Sequence, residues 1–139
     1  LQRLGNPKPK VAILSATELA TESMPSSVDA LAISRRAESE FSAAIVEGPL
    51  AFDNAVSQES AIIKGIDSEV AGCANLLIVP NIETGNALFK QMVYFMSAAA
   101  AGIVLGAAVP ITLTSRADPA AARLASIALA AIYASNLKP

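Results

Sequence analysis

Short apolar runs alternate along the chain with longer segments of helical periodicity. The runs KVAILSA (10–16), AAIVEGPL (43–50) and NLLIVP (75–80) have the length of strands and are rich in Val, Ile and Leu, as buried parallel strands are. Each run is followed by a segment with the pattern of a helix. This alternation predicts an α/β fold with a largely parallel sheet, in three layers with helices on both faces.

Four helices are predicted, and they cover residues 25–41, 52–64, 81–100 and 118–135. Pro25 opens the first of them, since proline is favoured in the first turn of a helix, and Gly65 ends the second. In the last helix, Asp118 is predicted to be the N-cap and Pro119 to lie in the first turn. An apolar stripe at helical spacing follows in the same helix, at Leu124, Ile127, Ala128, Ala131 and Ile132.

The stretch 91–115 contains no Asp, Glu, Lys or Arg, and it is longer than the roughly 20 residues that span a bilayer. A membrane helix is therefore one interpretation. Ala and Gly dominate the stretch rather than Leu, however, and Pro110 divides it into AAGIVLGAAV and PITLTS. We expect two short buried strands with a turn between them and no association with a membrane.

Composition limits the classes of function. The 139 residues, 53% of them hydrophobic, suffice for one ordinary domain with a real core. The net charge of -2 lacks the basic excess of a nucleic-acid-binding protein. No nucleic-acid partner is therefore expected.

Cysteine and histidine usage narrows the chemistry further. The single Cys73 cannot form an internal disulfide, and no Cys/His cluster is available for zinc. The absence of histidine removes any Ser-His or Cys-His nucleophile pair within this chain. We expect a cytoplasmic protein without a metal site or a tightly bound cofactor. Residues 1–9 are polar and Pro-rich, which predicts a linker rather than a signal peptide, and the missing initiator Met suggests an upstream segment.

Ligands of parallel α/β sheets gather beyond the carboxyl ends of the strands, where several polar side chains of this chain are expected. Ser15 lies at the carboxyl end of the first strand and Asp53 follows the second, so both are candidates for binding a substrate. Each also has an ordinary structural explanation, Ser15 as a turn hydroxyl and Asp53, with Asn54, as a helix cap.

The segment LTSRADP places Ser115 and Arg116 just ahead of the last predicted helix. A helix N-terminus offers free N–H groups and partial positive charge, and a guanidinium adds a planar fork of donors that fits phosphate oxygens. These features predict an anion-binding site at Ser115 and Arg116. The alternative is that Arg116 pairs with a nearby carboxylate while Asp118 merely caps the helix.

A second, weaker group of polar residues lies on the third predicted helix. Glu83, Asn86 and Lys90 are spaced i, i+3 and i+7, which places them on one face of an otherwise apolar helix. Asn86 and Lys90 are candidates for contacting a ligand. A solvated stripe on a surface helix is the alternative.

Four segments, in this order and at this spacing, resemble the C-terminal half of the phosphate acetyl/butyryltransferase (phosphotransacylase) family: GPLAFDNA, VAGCANLLIVPNIETGNALFKQM, AGIVLGAAVPITLTSRAD and ARLASIALAA. The resemblance covers nearly the whole chain from Lys10 onward. The form LTSRADP is more similar to the butyryl branch, and to the transacylase portion of proteins fused to a hydratase-like domain, than to the acetyl branch.

The resemblance implies the reaction acyl-CoA plus phosphate to acyl phosphate plus CoA. CoA and phosphate are then substrates rather than tightly bound cofactors. It implies that Arg116 holds the phosphoryl group and that Ser115 hydrogen-bonds the reacting thiol or a developing oxyanion, and Lys90 lies where many members keep a lysine. The acetyl branch places an aspartate, the proposed base for the thiol, where this chain has Ala122. The identity of the base therefore stays open.

The resemblance also implies an arrangement of domains. In the isopropylmalate dehydrogenase-like fold of the family, two lobes flank a cleft. Residues 10–109 correspond to the second lobe, and residues 110–139 to a segment that returns to the first. The chain is then expected to be a fragment of a homodimeric acyltransferase, inactive by itself. The alternative function is a non-catalytic α/β module that binds an anion or mediates self-association.

Overall fold

The computed structural model describes residues 1–136, which divide into two compact units. The N-terminal unit contains residues 6–86 together with Gln2. The C-terminal unit contains residues 87–136 together with Leu1 and Arg3–Gly5.

Five α-helices and five strands are described, after a short 3-10 helix at Gln2–Leu4. In chain order they are β1 (Lys10–Leu14), α1 (Pro25–Glu40), β2 (Ile45–Leu50), α2 (Phe52–Val56), α3 (Gln58–Ile63), β3 (Leu76–Ile78), α4 (Ile82–Phe95), β4 (Ile103–Val104), β5 (Ile111–Thr112) and α5 (Ala120–Ser135). Helix α4 begins in the N-terminal unit and ends in the C-terminal unit.

The N-terminal unit is built on a parallel sheet with the strand order β2-β1-β3. Val11 of the central strand pairs with Val46 on one side and Leu76 on the other. Residues 11–14 of β1 are all buried, so both faces of this strand are covered, because successive side chains point to opposite faces. Helix α1 packs against β1 and β2, and α2 packs against β1. The predicted α/β class with a parallel sheet is confirmed.

Helix α1 begins where the sequence predicts. Pro25 occupies its first turn, where the missing N–H costs no helical hydrogen bond. The buried Ala30 of this helix contacts the core cluster formed by Val11 and Ile13. A small side chain at this position lets α1 approach the sheet closely.

The prediction of a single helix over 52–64 is wrong, because the helix breaks at Ser57. Ser57 is extended (φ -114°, ψ 115°), and its side chain caps α3 by accepting a hydrogen bond from the N–H of Ser60 at 3.2 Å. The carbonyl oxygens of Asn54 and Ala55 accept hydrogen bonds from Gly72 and Ala74, at 2.7 and 3.1 Å. These long-range bonds replace the helical bonds that a continuous helix would make there.

The C-terminal unit contains the two apolar runs that the sequence predicts as strands. β4 and β5 pair antiparallel, and α5 packs against both. The buried hydroxyl of Ser126 in α5 donates to the carbonyl of Ala122 at 2.8 Å and accepts from the N–H of Gly102 at 3.0 Å. Within residues 1–136, no helix is long and apolar enough to cross a membrane.

Candidate active site

Ser115 and Arg116 lie in a tight turn between β5 and α5. The N–H of Asp118 donates to the carbonyl of Ser115 at 3.1 Å, and the N–H of Ser115 donates to the carboxylate of Asp118 at 2.7 Å. Two hydrogen bonds between the same residues therefore close the turn. The Ser115 side chain is exposed, with its hydroxyl oxygen 3.5 Å from the N–H of Ala117.

The prediction that Asp118 caps the last helix is wrong. Helix α5 begins at Ala120, its N-cap is Pro119, and no side chain caps it. The carboxylate of Asp118 instead reaches back to Ser115. This bond closes the turn that contains Arg116, so Asp118 stabilises the turn rather than capping the helix.

Arg116 is exposed, and its guanidinium makes no hydrogen bond or ion pair within the described residues 1–136. The alternative interpretation, in which Arg116 pairs with a nearby carboxylate, is therefore not what the structure shows. A guanidinium on a closed turn can donate several hydrogen bonds to an anion, with a planar geometry that suits phosphate.

Arg123 is a residue of this region that the sequence reasoning missed. Its guanidinium donates to the main-chain carbonyl oxygen of Arg116 at 3.2 Å. The signal was available in the sequence, since Arg123 lies in the first turn of α5, the helix that follows the Ser-Arg pair directly.

A small cavity of about 150 Å³ adjoins the same turn within the C-terminal unit. Asp118, Pro119 and Ala122 contribute to its wall, and most of the remaining lining is alanine. An aspartate at position 122 would add a second carboxylate to this wall beside Asp118, whereas the alanine of this chain adds a methyl group.

Of the two candidates on α4, Lys90 is half-buried and Asn86 is exposed. The ammonium group of Lys90 lies 5.5 Å from the ring centre of Phe89 and 5.6 Å from that of Tyr94, within the range of a cation–π contact. Lys90 belongs to the C-terminal unit, as Ser115 and Arg116 do, but no hydrogen bond joins it to their turn in the described chain.

Ser15 lies in the N-terminal unit, where its side chain already has protein partners. The hydroxyl oxygen is 3.0 Å from that of Ser26 and 3.3 Å from the sulfur of Met24. Its N–H donates to the carbonyl of Leu50 at 2.9 Å. These bonds join the end of β1 to the start of α1 and to the end of β2.

Asp53 is exposed and belongs to a polar cluster in the N-terminal unit. Its carboxylate accepts from the hydroxyl of Ser60 at 2.6 Å and lies 2.9 Å from the ammonium of Lys64, and these partners lower the pKa of Asp53 from 3.8 to about 2. Neither Asp53 nor Asn54 is the N-cap of α2, since that position is Ala51.

The same cluster contains two residues that the sequence reasoning missed, Glu18 and Lys64. The Glu18 carboxylate accepts from Lys64 at 2.9 Å and from the buried amide of Asn54. The bond from Lys64 lowers the pKa of Glu18. The Oδ1 atom of Asn54 has no hydrogen-bond partner in the described chain.

Comparison with known proteins identifies the family to which the chain belongs. The model of the phosphate acetyl/butaryl transferase family matches residues 1–131. A phosphate acetyltransferase of Rhizobium meliloti is 53% identical over 96% of this chain and 42% of its own length. A probable phosphate butyryltransferase of Bacillus subtilis is 48% identical over 91% of this chain and 43% of its own length.

A solved structure shares the fold. The crystal structure of a branched-chain phosphotransacylase from Enterococcus faecalis V583 matches with a TM-score of 0.87 and 37% identity, over 95% of this chain and 48% of that protein. The chain thus spans less than half the length of the relatives it matches. Relatives of the acetyl and butyryl types match at comparable identity, so similarity does not decide the acyl group. With the family model covering nearly all of its residues, the chain belongs to the phosphate acetyl/butaryl transferase family.

Proposed function

We propose that this chain is part of an enzyme that moves an acyl group between coenzyme A and inorganic phosphate. The observation that carries the proposal is the exposed guanidinium of Arg116, beside Ser115 on a turn closed by Asp118 and without an ion-pair partner in the described chain. Family membership supplies the reaction class.

In the proposed reaction, a phosphate oxygen attacks the thioester carbonyl carbon, a C–O bond forms and the C–S bond breaks. Arg116 binds the phosphate oxygens through its planar fork and offsets their charge as the reacting groups approach. The Ser115 hydroxyl donates a hydrogen bond to the carbonyl oxygen as negative charge develops on it, or to the departing sulfur. The products are acyl phosphate and the CoA thiolate.

This direction of the reaction requires no protein base. Phosphate is already anionic at neutral pH, and a thiolate whose acid has a pKa of about 8.5 is a competent leaving group. The carboxylate nearest to the pair along the chain, Asp118, is engaged with the N–H of Ser115. We therefore assign Asp118 a structural part in the turn and no proton transfer.

We propose Lys90 and Asn86 as further substrate contacts, because both lie on α4 and neither makes an ion pair or a side-chain hydrogen bond within residues 1–136. Ser15 and Asp53 remain proposed substrate contacts as well. A substrate that contacts Ser15 would have to share or displace its present partners, Ser26 and Met24. One that contacts Asp53 would have to share or displace Ser60 and Lys64.

The proposal includes the arrangement of the longer protein. Residues 10–109 form the second lobe of a two-lobed enzyme, and residues 110–139 return to the first, after a linker at 1–9. The share of each relative that this chain covers, 42% to 48% in the three proteins compared, supports a missing lobe. We propose that the complete enzyme is a cytoplasmic homodimer.

The test is an assay of the full-length protein with acyl-CoA, in which CoA release is followed with a thiol reagent and acyl phosphate is trapped with hydroxylamine. We expect CoA release to depend on phosphate and to equal the acyl phosphate formed. Sulfate in place of phosphate is the control. Release of CoA without phosphate would indicate thioester hydrolysis and contradict the proposal.

A further inference from the structure

The main-chain carbonyl of Arg116 is held by the side chain of Arg123. The Nη2 atom of Arg123 donates to this oxygen at 3.2 Å. The two bonds between Ser115 and Asp118 fix the ends of the turn, whereas the carbonyl of Arg116 lies between those ends. Arg123 therefore holds the carbonyl end of the peptide group that directly follows the Cα atom of Arg116, while the N–H of that group, from Ala117, lies 3.5 Å from the Ser115 hydroxyl oxygen.

Helix geometry explains how Arg123 reaches this oxygen. Side chains of an α-helix lean toward its N-terminus, so a long side chain in the first turn of α5 extends over the segment that precedes the helix. Arg123 is the fourth residue of α5, and its own N–H donates to the carbonyl of Pro119 at 3.3 Å.

Helix stability alone does not account for an arginine at this position. A positive side chain in the first turn interacts unfavourably with the helix dipole, whose positive end lies there. Arg123 has no ion-pair partner in residues 1–136 that would offset this effect. Within the described residues its side chain makes one hydrogen bond, to the carbonyl of Arg116.

We propose that Arg123 is a positioning residue for Arg116. It fixes the peptide group after Arg116 and so aims the Arg116 side chain, without itself touching the substrate. This inference rests on the proposed phosphate-binding role of Arg116. Loss of the bond lets the peptide group rotate and moves the Arg116 guanidinium away from the geometry that holds phosphate for attack.

The first experiment compares three variants of the full-length protein. We expect Arg123→Met, which keeps the length and removes the donors, to lower kcat/KM for phosphate by about 10- to 100-fold, as misplacement of a binding group does. Arg123→Lys retains one donor and is expected to recover most of the loss. The control is Arg35→Met on α1, also an exposed helical arginine and a residue of the N-terminal unit, which should leave kcat/KM within about twofold.

The second experiment separates positioning from direct attraction of the anion. In an Arg116→Ala background, Arg123→Met is expected to change kcat/KM by less than about twofold, because the group that it positions is gone. If Arg123→Met lowers kcat/KM in this background by as much as it does in the enzyme that retains Arg116, then Arg123 acts on the substrate directly. That result would overturn the proposal.

Other outcomes also decide the question. If the wild type catalyses phosphate-dependent CoA release and Arg123→Met is as active, this inference is wrong and the proposed function is unaffected. If the wild type itself is inactive, the proposed function is wrong. We expect the melting temperature of Arg123→Met to stay close to that of the wild type. Failure of this variant to fold, or of Arg123→Lys to recover activity, would overturn the positioning role.

Discussion

The ammonium group of Lys64 lies 2.9 Å from the carboxylate of Glu18, in the loop after β1. The same ammonium lies 2.9 Å from Asp53 in α2. Lys64, which follows the last residue of α3, thereby connects the loop after β1 with helix α2, which follows β2. Both carboxylates raise the pKa of Lys64, and Lys64 lowers the pKa of each carboxylate.

This cluster predicts that the fold weakens in acid. The pKa of Asp53 falls from 3.8 to about 2 on folding, through Ser60 and Lys64. A carboxylate with a lowered pKa contributes stability above its unfolded value and loses it as the pH falls toward the folded value. We expect the free energy of unfolding to decrease between about pH 4 and pH 2, and Asp53→Asn to reduce that decrease.

The measurement is urea unfolding as a function of pH, with Asp67→Asn as the matched control. Asp67 is also exposed in the N-terminal unit and makes no ion pair in the described residues. If Asp53→Asn and the wild type lose stability in parallel over this range, the predicted contribution of Asp53 is absent.

Arg116→Lys in the full-length protein is expected to lower kcat by about 100-fold or more. A point ammonium cannot replace a planar fork of donors, and removal of a donor that stabilises transition-state charge has an effect of this order. The assay follows phosphate-dependent CoA release over a range of phosphate concentrations. A variant with the kcat and phosphate KM of the wild type would contradict the assignment.

The complete enzyme is expected to prefer butyryl-CoA over acetyl-CoA. LTSRADP and Ala122 motivate this prediction, together with the 150 Å³ cavity that Ala122 lines. Each added methylene in an apolar pocket contributes about 1–3 kcal/mol, so the preference should be graded. Comparison of kcat/KM for the two thioesters decides it, and an acetyl-CoA advantage would mean that the branch assignment is wrong.

The 139-residue chain by itself is expected to fold, associate and show no transacylase activity. The apolar stripe of α5 is exposed, with Leu124 at 68%, Ile127 at 58% and Ile132 at 51% of full accessibility. Such a surface favours association with a second copy of the chain. We expect no catalysis, because CoA and phosphate would have to be held in line by a complete cleft.

Sedimentation and a transacylase assay on the isolated chain test this expectation. Leu124→Gln should weaken association, while Ile62→Gln, at an exposed position of α3, serves as the control. A compact monomer, or robust acyl transfer by the fragment, would refute the corresponding half of the prediction.

Gly72→Ala is expected to destabilise the fold by about 3 kcal/mol, because strain and overpacking act together. Gly72 has a φ of 77°, and a Cβ atom there would lie 2.6 Å from the Cα of Gln58. Gly65, with a φ of 64° and open space around it, is the control, and Gly65→Ala should cost about 1 kcal/mol. Equal losses in chemical denaturation would show that the close contact contributes nothing.

The sequence by itself determined the parallel α/β class, the start of α1 at Pro25 and the adjacency of Ser115 and Arg116. These features depend on local signals: hydrophobic periodicity, the fixed φ of proline and neighbouring positions in the chain. Strand and helix types were correct, although several predicted elements were longer than those observed. The predicted catalytic roles rest on the resemblance to the family and remain predictions.

Only the tertiary structure decided the break at Ser57 and the partner of Asp118. The break depends on N–H groups of residues 72 and 74, which are far from Asn54 and Ala55 in sequence and reach their carbonyls only in the folded chain. Asp118 lies three residues from Ser115 on one side and from Ala121 on the other, so sequence spacing permits either N–H as its partner. The backbone path between β5 and α5 selects Ser115, because it brings that N–H within 2.7 Å of the carboxylate.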